Sequence, residues 1–278
     1  MAEITAAAVK SLRDKTDLPM MMCKEALKEA NGDEAAAMTI LAEKAGKKLS
    51  KRTENATEEG RIFTAVSDCL KKAVMVEIQC ESAPVASGEH LAAFGASLTK
   101  QLLDGPGAAT ADELLDQPNP NGSGTLREAF ESLSNRIQEK IVVARVTSAE
   151  GPVGIYVHHD GKVGALLEAE GEALDAPVLR DVAMHVAAMR PTVARVEDVD
   201  AAKVSEERAR LTEEALASGK PQNIVDKIVD GRMSTFFRDE AGVLTEQAFA
   251  KDDSKSVKQV LAEAGLKVKS FTLWVLGA

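Results

Sequence analysis

An α+β fold is predicted, with a small all-helical module ahead of a two-half core, on three observations. Apolar residues recur every three or four positions up to Ala45, the spacing of helices that bury one face. From Arg61 they recur at every second position, the spacing of strands, and strand segments followed by helical ones come twice over. Aromatic residues make up only 3% of the 278, so the cores must be built from Ala, Val, Leu and Met, which suits helices.

The module comes first. Thr5 is placed to cap a helix running to about Lys15, with Ile4 and Val9 spaced for a hydrophobic staple. In "KTDLPMMMCKEALKEANGD", Pro19 suits the first turn of a second helix and Asn31-Gly32 its end, giving a helix over about Pro19 to Ala30. At about 100° per residue, Met22, Cys23, Ala26, Leu27 and Ala30 gather on one side as the core face. Met21 falls opposite, with Lys24 and Lys28, and Met20 lies at the edge. A run of methionines is ordinarily core; this arithmetic turns two of them outward. Asp33 caps a third helix through Ala45, and "KAGKKLSKRTEN", basic and without apolar period, reads as a linker or as the frayed end of that helix.

The expected domains are residues 1–55 for the module and linker, 56–140 for the first half of the core, and 141–278 for the second, with a helical arm at about 200–238. "RIFTAVSD" and "AVMVEIQC" read as paired strands and "SGEHLAAFGASLTKQLLD" as an amphipathic helix. A loop at "QPNPNGSG" precedes a helix from Leu126 to about Glu139. "IVVARVTS", "GIYVHH" and "VGALLEAE" read as three antiparallel strands, with Asp160-Gly161 as the second hairpin turn. "APVLRDVAMHVAAM" is a helix ending at Arg190-Pro191. Two charged helices joined through Ser218-Gly219-Lys220-Pro221 form an αα-hairpin, with Leu211, Ala215 and Leu216 facing Ile224, Ile228 and Val229. Such an arm buries little surface and serves a partner. A helix over Lys255 to Ala264 and the strand "KVKSFTLWVL" close the chain.

Composition narrows the function. A net charge of −10 argues against a binder of nucleic acid or of anionic membrane, and no apolar run is long enough to span a bilayer. Cys23, Cys69 and Cys80 have neither disulfide nor metal spacing and read as reduced thiols of a cytoplasmic protein. No catalytic residue, metal or cofactor is expected. The glycines of "DGPGAAT" and "NGSGT" lack the Lys-Ser/Thr of a phosphate loop, and His158 and His159 should diverge as strand neighbours. Cys80 reads as a buried small apolar residue. On pattern alone His185 is a packed or partly exposed helix histidine.

The opening "VKSLRDKTDLPMMMCKEALKEANGDEAAA" resembles the N-terminal module of the elongation factor Ts family, the guanine nucleotide exchange factors of elongation factor Tu. The family run is Leu-Arg, Thr-Gly, Met-Met-Asp-Cys-Lys-x-Ala-Leu, ending in Gly-Asp. Leu12, Arg13, Thr16, Met20, Met21, Cys23, Lys24, Ala26, Leu27, Gly32 and Asp33 match it, whereas Asp17, Leu18, Pro19 and Met22 depart. "AMHVAAMRP" and "SGKPQNIVDKIVDGRM" match further on. The resemblance implies a module similar to ubiquitin-associated domains that docks on the nucleotide-binding domain of elongation factor Tu, with contacts to the partner's further domains as well. Arg13, Met20 and Met21 would lie in that contact, beside Lys10 and Lys24. It also implies partner contacts at Val85, Ile137 and His185. Where the family carries an Asp-Phe wedge, this chain has Ala83-Pro84, and Gln138 replaces the glycine of the family's Ile-Gly-Glu.

Overall fold

The computed structural model describes residues 4–217, 219 and 221–278, with the Leu49 side chain outside that description. It is an α+β protein whose chain gathers into two compact units. One holds residues 1–63, 76–147 and 276–278; the other holds 64–75 and 148–275.

The first unit opens with helices α1 (Ala6–Thr16), α2 (Met20–Glu29) and α3 (Glu34–Ser50). Thr5 accepts from the Ala8 N–H at 3.2 Å and Asp33 from the Ala36 N–H at 3.0 Å, so both expected caps form. Leu12, Leu18, Cys23, Leu27, Ala37 and Leu41 make a buried core. Helix α3 runs on to Ser50, past the expected end at Ala45. Its added turns carry Lys47 and Lys48, cations that suit a helix C-terminus, so the absence of an apolar period was no stop signal.

Strands β1 (Glu59–Val66), β2 (Lys72–Cys80) and β3 (Ile141–Glu150) form one sheet in that order. Here the expectation of three successive antiparallel strands is corrected. The first of them, β3, joins β2, while β4 (Val153–Val157) and β5 (Val163–Gly171) pair antiparallel in another sheet. Alternation within a strand says which face it buries, not which neighbour it takes. Between β2 and β3 lie α4 (Ala83–Ala86), α5 (Glu89–Asp104), α6 (Ala111–Leu115) and α7 (Leu126–Ile137). Thr125 and Glu128 form a capping box at the start of α7, and Gln138 ends it at a φ of 59°.

In the second unit α8 (Ala176–Met189) lies on the sheet β4–β5–β8, where β8 is Leu266–Val275. A Cβ on Gly154 would stand 2.2 Å from the Leu179 carbonyl oxygen, so the helix approaches β4 this closely only because that residue is glycine. Leu179, Val182 and Val186 pack with Leu167, Leu261 and Val268 in the core. A short pair, β6 (Ala248–Phe249) and β7 (Asp252–Ser256), precedes α11 (Val257–Glu263); neither strand was legible in the sequence.

The arm is α9 (Ala201–Ala217) and α10 (Gln222–Thr235), continued by a π-turn over Phe236–Glu240. Ser218 and Lys220 of the expected connection lie outside the described residues. Leu211 and Ala215 are buried against Val225, Val229 and Met233, while Leu216 and Ile224 are exposed. The expected place of Leu216 and Ile224 in the facing stripes is therefore corrected; the inward stripe of α10 starts one residue later, at Val225. The His158 and His159 rings do not diverge either, their centroids lying 4.3 Å apart, because β4 stops at Val157 and strand alternation ends with it. No described helix is long and apolar enough to cross a membrane, and no group of three His, Cys, Asp or Glu among the described residues could hold a metal ion.

Candidate partner interface

On α2 the core face takes Cys23, Ala26 and Leu27, and Met22 is half-buried beside them. Met20 is 51% exposed and Met21 64%, as the helical arithmetic requires. Lys10, Arg13 and Lys24 are exposed too. The turn that presents Met20 is tied from within: Thr16 Oγ1 donates to the Leu12 carbonyl at 2.8 Å, and the Cys23 thiol reaches the Leu18 carbonyl at 3.6 Å. The module thus fills its own core and leaves Met20 and Met21 exposed on the helix that carries Lys24, with Met38 exposed on α3. A thioether on unbranched carbons is flexible and polarizable, a group that fits an irregular groove on another protein.

Ala83 and Pro84 are exposed and Val85 half-buried. They stand on the helical turn α4, with Pro84 in its first turn. Ile137, half-buried, is the last residue of α7.

The β2–β3 pairing brings α4 and the end of α7 to the same end of the sheet, and a polar network that the sequence reading missed locks them there. The Glu81 carboxylate accepts from the Lys140 N–H at 2.6 Å, from Arg52 at 2.6 Å and from the Asn55 amide at 2.8 Å. Ser82 donates to Glu139 at 2.8 Å. Burial on its own raises the Glu81 carboxyl pKa, but the Lys140 N–H, the Asn55 amide and the Arg52 guanidinium outweigh it and hold the group below its ordinary value. Arg52 and Asn55 belong to the segment read as linker. Their signal was present in the sequence as polar residues without a period, but nothing there said which carboxylate they would meet.

Asp17 forms a second tie. It ends α1 at a φ of 54°, accepts from the Ser132 hydroxyl at 3.2 Å, and pairs with Arg136 on α7. Asp17 and Gln138 both occupy left-handed backbone where the family pattern has glycine.

His185 is 0% exposed. Its Nδ1 accepts from the Ala250 N–H at 3.1 Å, so the neutral ring carries its proton on Nε2, 2.9 Å from Gln247 Oε1. Phe249 stacks on the ring at 5.9 Å. In this conformation no surface of His185 is open to a partner; it holds the Gln247–Ala250 segment. The packed reading of the pattern describes it better than the contact that the resemblance implies.

A family profile described as Elongation factor TS matches residues 81–278. Elongation factor Ts of Aquifex aeolicus is 38% identical over 97% of this chain and 96% of its own length. That of Bordetella petrii is 38% identical over 100% of this chain and 92% of its own length, and that of Chlorobium phaeobacteroides 35% identical over the whole of both. The chain belongs to the elongation factor Ts family. The profile begins at Glu81, the carboxylate of the network, whereas the full-length alignments take in the methionine helix as well.

Proposed function

We propose that this chain is the cytoplasmic guanine nucleotide exchange factor of elongation factor Tu, acting in translation elongation. One observation carries the reading: Met20 and Met21, exposed by half or more, lie beside Lys24 on a module that has already filled its own core, at family motif positions. Exposed apolar area of that kind, edged by charge, is the make-up of a protein contact. The exchange requires no covalent chemistry from the factor. A protein that binds the nucleotide-free partner better than the GDP-bound partner must, by linkage, lower the partner's affinity for GDP by the same factor. GTP then enters the emptied site and displaces the factor.

One feature favours a second reading, a binding or chaperone-like partner of elongation factor Tu with weakened exchange. Ala83 and Pro84 bring neither a carboxylate nor a flat ring to the exposed end of α4. Stopped-flow release of labelled GDP from the cognate elongation factor Tu decides between the two. Acceleration that saturates with factor concentration is expected for an exchange factor. Stable binding with unchanged release would leave only the partner role.

A further inference from the structure

We infer that Glu81 is a positioning residue of the exchange face: one carboxylate ties the module's linker to the α4 turn and to the segment after Ile137. This rests on the exchange reading above and names the group that assembles the surface.

Three separate stretches of chain meet at that carboxylate. Arg52 and Asn55 come from the end of the module, Lys140 from the segment after α7, and Glu81 itself leads into α4. The Lys140 N–H points at Glu81 Oε1 just before β3 begins, and Lys140 Nζ turns back to the Asn55 carbonyl at 2.8 Å, closing the ring. Ser82 on Glu139 makes the register redundant: two consecutive residues of one strand end grip two consecutive residues of the other segment. The side chains of Glu81 and Arg52 are only 15% and 31% exposed, so the pair is shielded more than a surface ion pair. The β2–β3 pairing already sets the end of β2 beside the start of β3, and Asp17 holds the turn after α1 to α7; what Glu81 adds is a grip on Arg52 and Asn55, the linker that leaves the module. That grip fixes the spacing between the α4 turn, Ile137 and the chain that carries Met20 and Met21. A factor that strains its partner's nucleotide site with several contacts at once needs them held at fixed separation.

The test combines exchange kinetics with hydrogen exchange. Glu81→Ala is expected to lower the maximal rate of GDP release at saturating factor by roughly tenfold, while the half-saturating concentration moves by less than about threefold. Combined with Pro84→Ala or with Met21→Ala it should cost less than the product of the single effects. Amide exchange of the full-length protein should show the Lys140 N–H protected in the parent and released in Glu81→Ala, with the amides of α5 and α7 unchanged. Should Glu81→Ala not fold, Arg52→Ala with Asn55→Ala removes the linker's ties and leaves the Lys140 N–H bond, and should lower the maximal release rate in the same direction. Full multiplicativity with Pro84→Ala, or a Lys140 N–H already unprotected in the parent, overturns the assignment. If the parent protein does not accelerate GDP release at all, the exchange reading fails; the Lys140 protection still decides whether Glu81 ties these segments.

Discussion

At Met21, 64% of the residue surface faces solvent, and its helix packs through other residues. Met21→Asp should therefore leave the helical circular dichroism unchanged and weaken the complex with elongation factor Tu by more than about tenfold, since it puts a charge in a desolvated contact. An unaltered dissociation constant removes Met21 from the interface, and lost helicity puts it in the core. His185 sets a different expectation. Burial lowers its pKa from the ordinary 6.5, and the Gln247 hydrogen bond only partly offsets this. The unfolded chain therefore binds a proton that the folded one refuses, so the stability it supports is present above pH 6.5 and is lost as pH falls from there through the lowered value. Urea unfolding across that window should fall less steeply in His185→Gln than in the parent. Equal slopes would show that the ring accepts its proton without cost.

Among the elements, the arm carries the plainest expectation. Its buried residues form their own cluster, distinct from the core of α8 and the β4–β5–β8 sheet. The Phe236 and Phe237 carbonyls, however, accept from the Ala241 and Val243 N–H groups at 2.8 Å, so the π-turn is bound into the segment that follows. Replacing residues 204–235 by a short Gly-Ser linker should leave a folded protein with cooperative thermal unfolding, whereas a replacement running on to Arg238 should lower its melting temperature. Unfolding by the shorter replacement would make the arm part of the core. The left-handed end of α7 is a second case. Gln138 is buried at a φ of 59° with Oε1 lacking a partner, although Nε2 donates to the Asn135 carbonyl at 2.9 Å. Glycine there relieves backbone strain of about 1–2 kcal/mol but gives up methylenes worth about 0.8 kcal/mol each. Gln138→Gly should stay within about 1 kcal/mol of the parent in urea, and Gln138→Val, β-branched in a left-handed position, should lose more than about 2 kcal/mol.

For the whole molecule, net charge and local charge point opposite ways. At −10 the chain should be repelled by an acidic partner, yet the module that exposes Met20 and Met21 also exposes Lys10, Arg13 and Lys24. Association is steered by the field at the contact, so its rate constant with elongation factor Tu should fall as salt rises. A rate that climbs with salt would mean that the overall charge dominates and the module is not the leading contact. The same reasoning ranks the contact groups. Pro84→Ala should slow catalysed release by less than about tenfold, and Arg13→Ala with Met20→Ala by more. A hundredfold loss from Pro84→Ala would make the α4 turn the main wedge despite its altered chemistry.

The sequence by itself determined the first two helices of the module and the start of the third, both of its side-chain caps, the outward turn of Met20 and Met21, and the family, because each depends on neighbours within a few positions or on a motif read in order. The fate of His185, the partner of β3, the stripe of α10 and the ring of contacts on Glu81 were decided only by tertiary structure. A periodic pattern says that a face is apolar without saying what covers it, and a carboxylate does not disclose which distant cation or N–H it meets. Arg52 and Glu81 are 29 positions apart in the chain and 2.6 Å apart in space. Only the folded chain holds that second number, because it is set by the packing of everything between them.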